Sequence, residues 1–210
     1  PVALVQPYNS YWVFRYDDVK TVLEDKELFT KASPTPSLPP SPFDALANFK
    51  PGLFSADPPA HTKMRDCMEP LFATAIKDAG DVAAGLARDI LKTAARGQRI
   101  ELYADYAMPL PPKVLFTVLG LPEAHWPGVR QWVEGYVAGH DITQPVGLQF
   151  MGGTACMALM TYFSAMMDGC PVAAAKDGML SLMVEHGPAG NLDAQEILGS
   201  IQNLAIAGFA

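Results

Sequence analysis

The stretch that most limits what this chain can fold into is Leu53 to Phe72, LFSADPPAHTKMRDCMEPLF. An acid followed by two prolines marks a helix start. Asp57 can accept from the free amides of a first turn, and Pro58 and Pro59 lose nothing where N–H groups have no intrahelical partner. The pattern predicts a helix over 58–72. On it His61 and Arg65 stand four apart and project from one face, beside an apolar stripe of Met64, Met68, Leu71 and Phe72. Two adjacent donors next to an apolar surface suit a carboxylate. Arg65 also has Glu69 one turn on, so a surface ion pair accounts for it equally well, and His61 in an exposed first turn is equally consistent with a solvated side chain.

The whole string is more specific than its spacing. Asp57, Pro58, Pro59, His61, Arg65 and Phe72 together resemble the start of helix C in bacterial cytochromes P450. The resemblance implies that His61 and Arg65 bind a haem propionate. Upstream, Val2 to Val5 and Ser10 to Tyr16 are rich in β-branched and aromatic residues, which predicts a small hairpin or sheet edge. Asp17 then reads as the cap of a short helix with Val19, Val22 and Leu23 facing inward and Asp18 suited to the helix N-terminus. The run from Trp12 and Arg15 through Tyr16-Asp17-Asp18-Val19-Lys20 to Leu28-Phe29-Thr30 is similar to the family's first strand and B helix.

Composition sets outer limits. Half of the 210 residues are hydrophobic, enough for one sizeable core, and a net charge of −7 argues against a general nucleic-acid binder, whose footprint would be basic. The first residues show no basic-then-apolar signal pattern. Cys67, Cys156 and Cys170 are odd in number and widely spaced, a usage that suits buried thiols in a reducing compartment, the cytoplasm, more than a disulfide scaffold.

Residues 32–51 are dense in proline, leaving few backbone N–H groups for regular structure, yet they and their neighbours carry Leu38, Phe43, Leu46, Phe49, Leu53 and Phe54. The resemblance places here the loop that roofs a P450 substrate cavity. Beyond Phe72 the periodicity is helical almost throughout. It predicts a helix over 75–96, a short extended piece over 99–102, and a helix from Asp105 whose first turns are disturbed by Pro109, Pro111 and Pro112. That helix stops at Gly120-Leu121-Pro122. Ala107 to Pro122 resembles the family's E helix. Trp126 to Val137 is amphipathic, and from Ile142 to Met167 there is no charged side chain. That run is long enough to span a bilayer, but Asp141 and Asp168 bound it and no basic residue lies close. A soluble helix with Met151, Met157, Met160, Met166 and Met167 filling a core or an adaptable pocket is the better reading.

The last segment opens with Asp193 and Glu196, an acidic variant of the capping box, and continues with Ile197, Leu198, Ile201, Leu204 and Ala205 at helical spacing. Ala205, Ala207, Gly208 and Ala210 offer a low-bulk surface that suits either a flat ligand or a helix crossing. Leu204 to Ala210 resembles the middle of the P450 I helix, and Ala207 and Gly208 match its small pair, implying that they border the haem. Ala210 stands where the family has an acid that takes part in proton delivery, a role alanine cannot perform. No cysteine here has the context of the family's axial ligand.

The resemblance covers about Val2 to Ala210 and implies a mainly α, cytochrome P450-like helical fold (B to I helices) with a small N-terminal β-sheet portion, corresponding to the N-terminal portion of a single domain. It further implies haem b with an axial Cys outside this chain, and a monooxygenase that inserts one oxygen atom from dioxygen into a small or medium apolar organic substrate, with electrons from a ferredoxin or similar donor. Phe43, Phe49, Phe54, Asn203 and Ile206 are the expected substrate wall. The rival expectation is a non-enzymatic helical module that binds an apolar ligand or partner through its Met-rich segment.

Overall fold

The computed structural model describes residues 2–5, 10–31, 50, 52–96, 99–141, 144–169 and 174–208. Strands β1 (Val2–Val5) and β2 (Ser10–Val13) pair antiparallel, with Val2 opposite Val13 and Val5 opposite Ser10. Among the described residues eight α-helices follow: α1 (Tyr16–Glu24), α2 (Ala60–Ala75), α3 (Ala79–Ala95), α4 (Leu110–Leu119), α5 (Trp126–His140), α6 (Val146–Met167), α7 (Met179–His186) and α8 (Ala194–Ala207). The expected fold class, mainly α with a small N-terminal sheet, is what is observed.

The core lies where α8, α7, α6, α5, α4 and α2 meet, and Phe116, Leu119, Val129, Val133, Leu159, Phe163, Met179, Leu180, Met183 and Ile201 are fully buried there. Each such side chain contributes about 1.5–3 kcal/mol through burial. Helix α6 is the one described helix long and apolar enough to cross a membrane. It instead lays Leu159, Met160 and Phe163 into the core, and it approaches α5 so closely that a Cβ added to Gly139 would sit 2.4 Å from the Gly152 Cα. The methionines divide: Met160 and Met166 pack, whereas Met151 and Met157 are exposed.

Several local expectations are corrected. Asp57 does not cap α2. The turn at Pro58 and Pro59 moves the cap to Pro59, beyond reach of the Asp57 carboxylate, which instead accepts from the Lys31 N–H at 2.9 Å and from the Thr30 hydroxyl. The first turn is met by backbone, the His61 N–H donating to the Asp57 carbonyl at 2.9 Å. The second strand stops at Val13 because Tyr16 already begins α1. Asp17 lies inside the first turn, with Arg15 as cap, and Leu23 is 74% exposed. What reads as one helix over 75–96 is the end of α2, a break at 76–78, and α3. Glu101, not Asp105, starts the next helical segment: its carboxylate accepts from the Tyr103 and Ala104 amides, while Asp105 returns a bond to the Glu101 N–H at 2.9 Å. That segment is a single π-helical turn, Leu102–Ala107, and α4 begins after Pro109, as the prolines require. Gly120 ends α4 in the left-handed conformation, φ 79°. The short helix α7 was not foreseen.

Gly139→Val is expected to lower the unfolding midpoint strongly, because backbone would have to move to admit the side chain. Gly85→Ala, in α3 and facing open space, is expected to raise stability by about 0.5–1 kcal/mol. Denaturant unfolding of both variants checks the pair.

Candidate functional site between α2 and α8

Helix α8 is built to hold what lies beside it. Asp193 caps it, accepting from the Gln195 and Glu196 amides at 3.0 Å, and Glu196 accepts in return from the Asp193 N–H at 3.0 Å, so the expected capping box is complete. The same two acids start a polar row. Asp193, Glu196, Ser200 and Asn203, spaced three, four and three apart, share one helix face. Each meets a different neighbour. Asp193 pairs with Lys50, and Glu196 with Lys63 of α2 at 2.5 Å. The Ser200 hydroxyl donates to the Met64 sulfur at 3.6 Å, and the Asn203 Oδ1 accepts from the Phe54 N–H at 3.1 Å. Backbone contact completes the seam, since a Cβ on Gly199 would fall 3.0 Å from the Gly52 Cα.

Further along the same two helices the packing opens into a groove of about 340 Å³, lined by Leu53, Arg65, Met68, Glu69, Phe72 and Leu204. Its walls are apolar apart from two opposite charges, Arg65, which is 57% exposed, and Glu69, which pairs with it only loosely, Nε to Oε2 at 3.7 Å. His61, half-buried one turn before Arg65, has its pKa lowered by burial and then by the charges of Lys31, Lys26 and Arg65. Those cations outweigh Asp57 and make the surroundings favourable to an anion. The arrangement can therefore receive a flat apolar body against Met68, Phe72 and Leu204 while holding an acidic group at the Arg65 edge.

The structure brings the expected residues together unequally. His61 and Arg65 share a face of α2, as their spacing requires. Ala207 and Gly208 lie exposed at the end of α8, three and four residues beyond Leu204, whereas Ala205 is fully buried in the core and offers no ligand surface. A Cβ on Gly208 would come within 2.7 Å of the end of the Leu115 side chain of α4, which would have to shift to admit it. Asn203 is committed to Phe54, and Ile206 is half-buried. Phe54 is 48% exposed; Phe43, Phe49 and Ala210 lie outside the described residues.

Neither described cysteine offers a thiolate. Burial pushes both thiols up. Cys67 packs against Gly190, and Cys156 receives the Gln202 amide at 2.8 Å. Among the described residues no group of three or more His, Cys, Asp or Glu could hold a metal ion.

The chain aligns over 99% of its length with substrate-free CYP109E1 from Bacillus megaterium, at 26% identity and a TM-score of 0.74, covering 54% of that chain. This is the cytochrome P450 fold, over about half of its length. Among curated proteins, it is 26% identical over 214 residues to mycinamicin IV hydroxylase/epoxidase of Micromonospora griseorubida, covering all of this chain and 52% of that protein. It is 27% identical over 207 residues to the cytochrome P450 monooxygenase PikC of Streptomyces venezuelae, covering 95% of this chain and 47% of that one. The chain thus spans about half the length of these P450 relatives. No family model matches it.

The α8 seam should titrate. The Lys50 hydrogen bond holds Asp193 below its ordinary value, and for Glu196 the bonds from Lys63 and the Asp193 N–H outweigh the upward push of burial. Depressed folded-state values contribute stability above the unfolded carboxylate range and lose it as pH falls through them. The melting temperature is expected to drop between about pH 5 and about pH 2, and less steeply in Asp193→Asn.

Proposed function

We propose that the protein carrying this chain is a haem-thiolate monooxygenase acting on a small or medium apolar organic substrate, and that this chain supplies the distal, propionate-binding half of its site. The observation that carries the reading is the groove between α2 and α8, apolar along Met68, Phe72 and Leu204 and cationic at Arg65. Haem b, with a cysteine ligand supplied from outside this chain, would bring the activation of dioxygen to this site.

The roles of this chain's residues follow from their placement. Arg65 holds a propionate through its guanidinium fork, which first releases Glu69. His61 donates the second hydrogen bond, its neutral form favoured by burial and then by the surrounding cations. Met68, Phe72 and Leu204 exclude water from the ring edge, and Ala207 and Gly208 let a flat ring approach the end of α8. Phe54 and Ile206 wall the substrate side, while Asn203 acts there by fixing Phe54; Phe43 and Phe49 are assigned to that wall by the sequence resemblance alone. Electrons come from a ferredoxin or similar partner, and the cytoplasm is the compartment that keeps Cys67 and Cys156 as thiols. The names of relatives, a mycinamicin IV hydroxylase/epoxidase and a CYP109E1 structure in complex with testosterone, favour an organic substrate.

The second reading, a non-enzymatic module that binds an apolar ligand through its methionines, draws on the exposed Met151 and Met157 of α6. The two readings separate on haem.

Arg65→Ala is expected to lower haem content after purification severalfold, and Glu69→Gln, which frees Arg65, to retain or raise it. Pyridine-haemochrome quantification decides; unchanged content in Arg65→Ala removes the propionate assignment.

A further inference from the structure

The Lys63–Glu196 pair stands out from the other charges of this molecule. Glu196 has a side chain only 9% exposed, and Lys63, 38% exposed, gives it a hydrogen bond at 2.5 Å and a second bond to the Asn191 carbonyl at 3.3 Å. The other ion pairs among the described residues are more open, and three of them join residues within a single helix. Truncating one partner of a buried pair leaves the other charge stranded, so such a pair constrains geometry more than it adds net stability.

What it constrains is the rotation of α2. Lys63 lies midway between His61 and Arg65, about 200° around the helix from each, so that a tether on Lys63 turns both of them away from Glu196 and leaves Arg65 on the face of α2 that lines the groove. The next turn repeats the cross-link, Met64 meeting Ser200, whereas Phe72, about 180° round α2 from Lys63, comes to the groove on the Arg65 side with Met68 and Leu204. The Lys63–Glu196 contact therefore fixes the azimuth of α2 relative to the start of α8. Met64–Ser200 is a weak contact, and the groove itself holds no direct polar bond between the helices.

We propose that Lys63 and Glu196 are a positioning pair that sets the azimuth of α2 and thereby aims His61 and Arg65 at the carboxylates of the bound ring. The inference rests on the propionate reading above. Neither residue touches the ring; they act through α2.

The test uses the haem-loaded protein that carries this chain, and reads the rate of haem transfer to excess apomyoglobin together with the melting temperature. Lys63→Met and Glu196→Gln are each expected to speed haem loss about tenfold. The double variant Lys63→Met/Glu196→Gln, which strands no charge, should keep a near-normal melting temperature and lose haem no faster than either single variant. Lys63→Arg should restore the slow rate. Wild-type rates in the three charge-removing variants, with Arg65→Ala still faster, overturn the positioning role and leave the propionate reading standing. Faster loss that tracks a lowered melting temperature and is not restored by Lys63→Arg also overturns it. A wild-type rate in Arg65→Ala itself overturns both.

Discussion

The structure depends on one row of side chains. Asp193, Glu196, Ser200 and Asn203 form a polar stripe on α8, which is otherwise a core helix with Ile197, Ile201 and Ala205 buried. A polar stripe on a buried helix is costly unless each member finds a partner, and here each does: Lys50, Lys63, Met64 and the Phe54 amide. Since those partners lie in two different segments, satisfying the stripe draws residues 50–54 and helix α2 onto α8 in one register. The glycine pair at 52 and 199 permits the approach.

The remainder of the fold can be understood as support for that arrangement. The hairpin of α5 and α6 closes at Gly139 and Gly152 and buries Leu159 and Phe163 behind α8. Helix α7 fills the space beside α2 with Met179, Leu180 and Met183. Leu115 of α4 meets the end of α8 at Gly208. The face of α2 and α8 away from these contacts is left with a groove, an arginine and a histidine, and the cations around that histidine favour an anion there. Site and scaffold are therefore two sides of the same pair of helices.

Much of this was legible in the sequence wherever the signal is local. The capping box at Asp193 and Glu196, the stop at Gly120, and the shared face of His61 and Arg65 need only residue type and spacing. What was not legible depends on partners far away in the chain. Asp57 has the right chemistry for a cap, but the prolines after it displace the helix start and its carboxylate finds residues 30 and 31 instead. Asn203 looks like a polar group facing a cavity until the Phe54 amide is placed beside it. The period of 193, 196, 200 and 203 was visible, yet nothing local says that Lys50 and Lys63 answer it. Helix α7 is too short for its period to emerge, although Gly178 and Gly187 bracket Met179, Leu180 and Met183. The apolar run over 142–167 was recognised as a helix, and its environment, core on one side and solvent on the other, became clear only from the packing.

The central claim is that the groove between α2 and α8 is one face of a haem-thiolate site. The most direct measurement is the visible absorption spectrum of the purified protein that carries this chain, reduced and exposed to carbon monoxide. The account predicts a red-shifted Soret band of the thiolate-ligated type. Protein reconstituted with haem that shows no Soret absorption, or a carbon monoxide complex lacking that red shift, would contradict it.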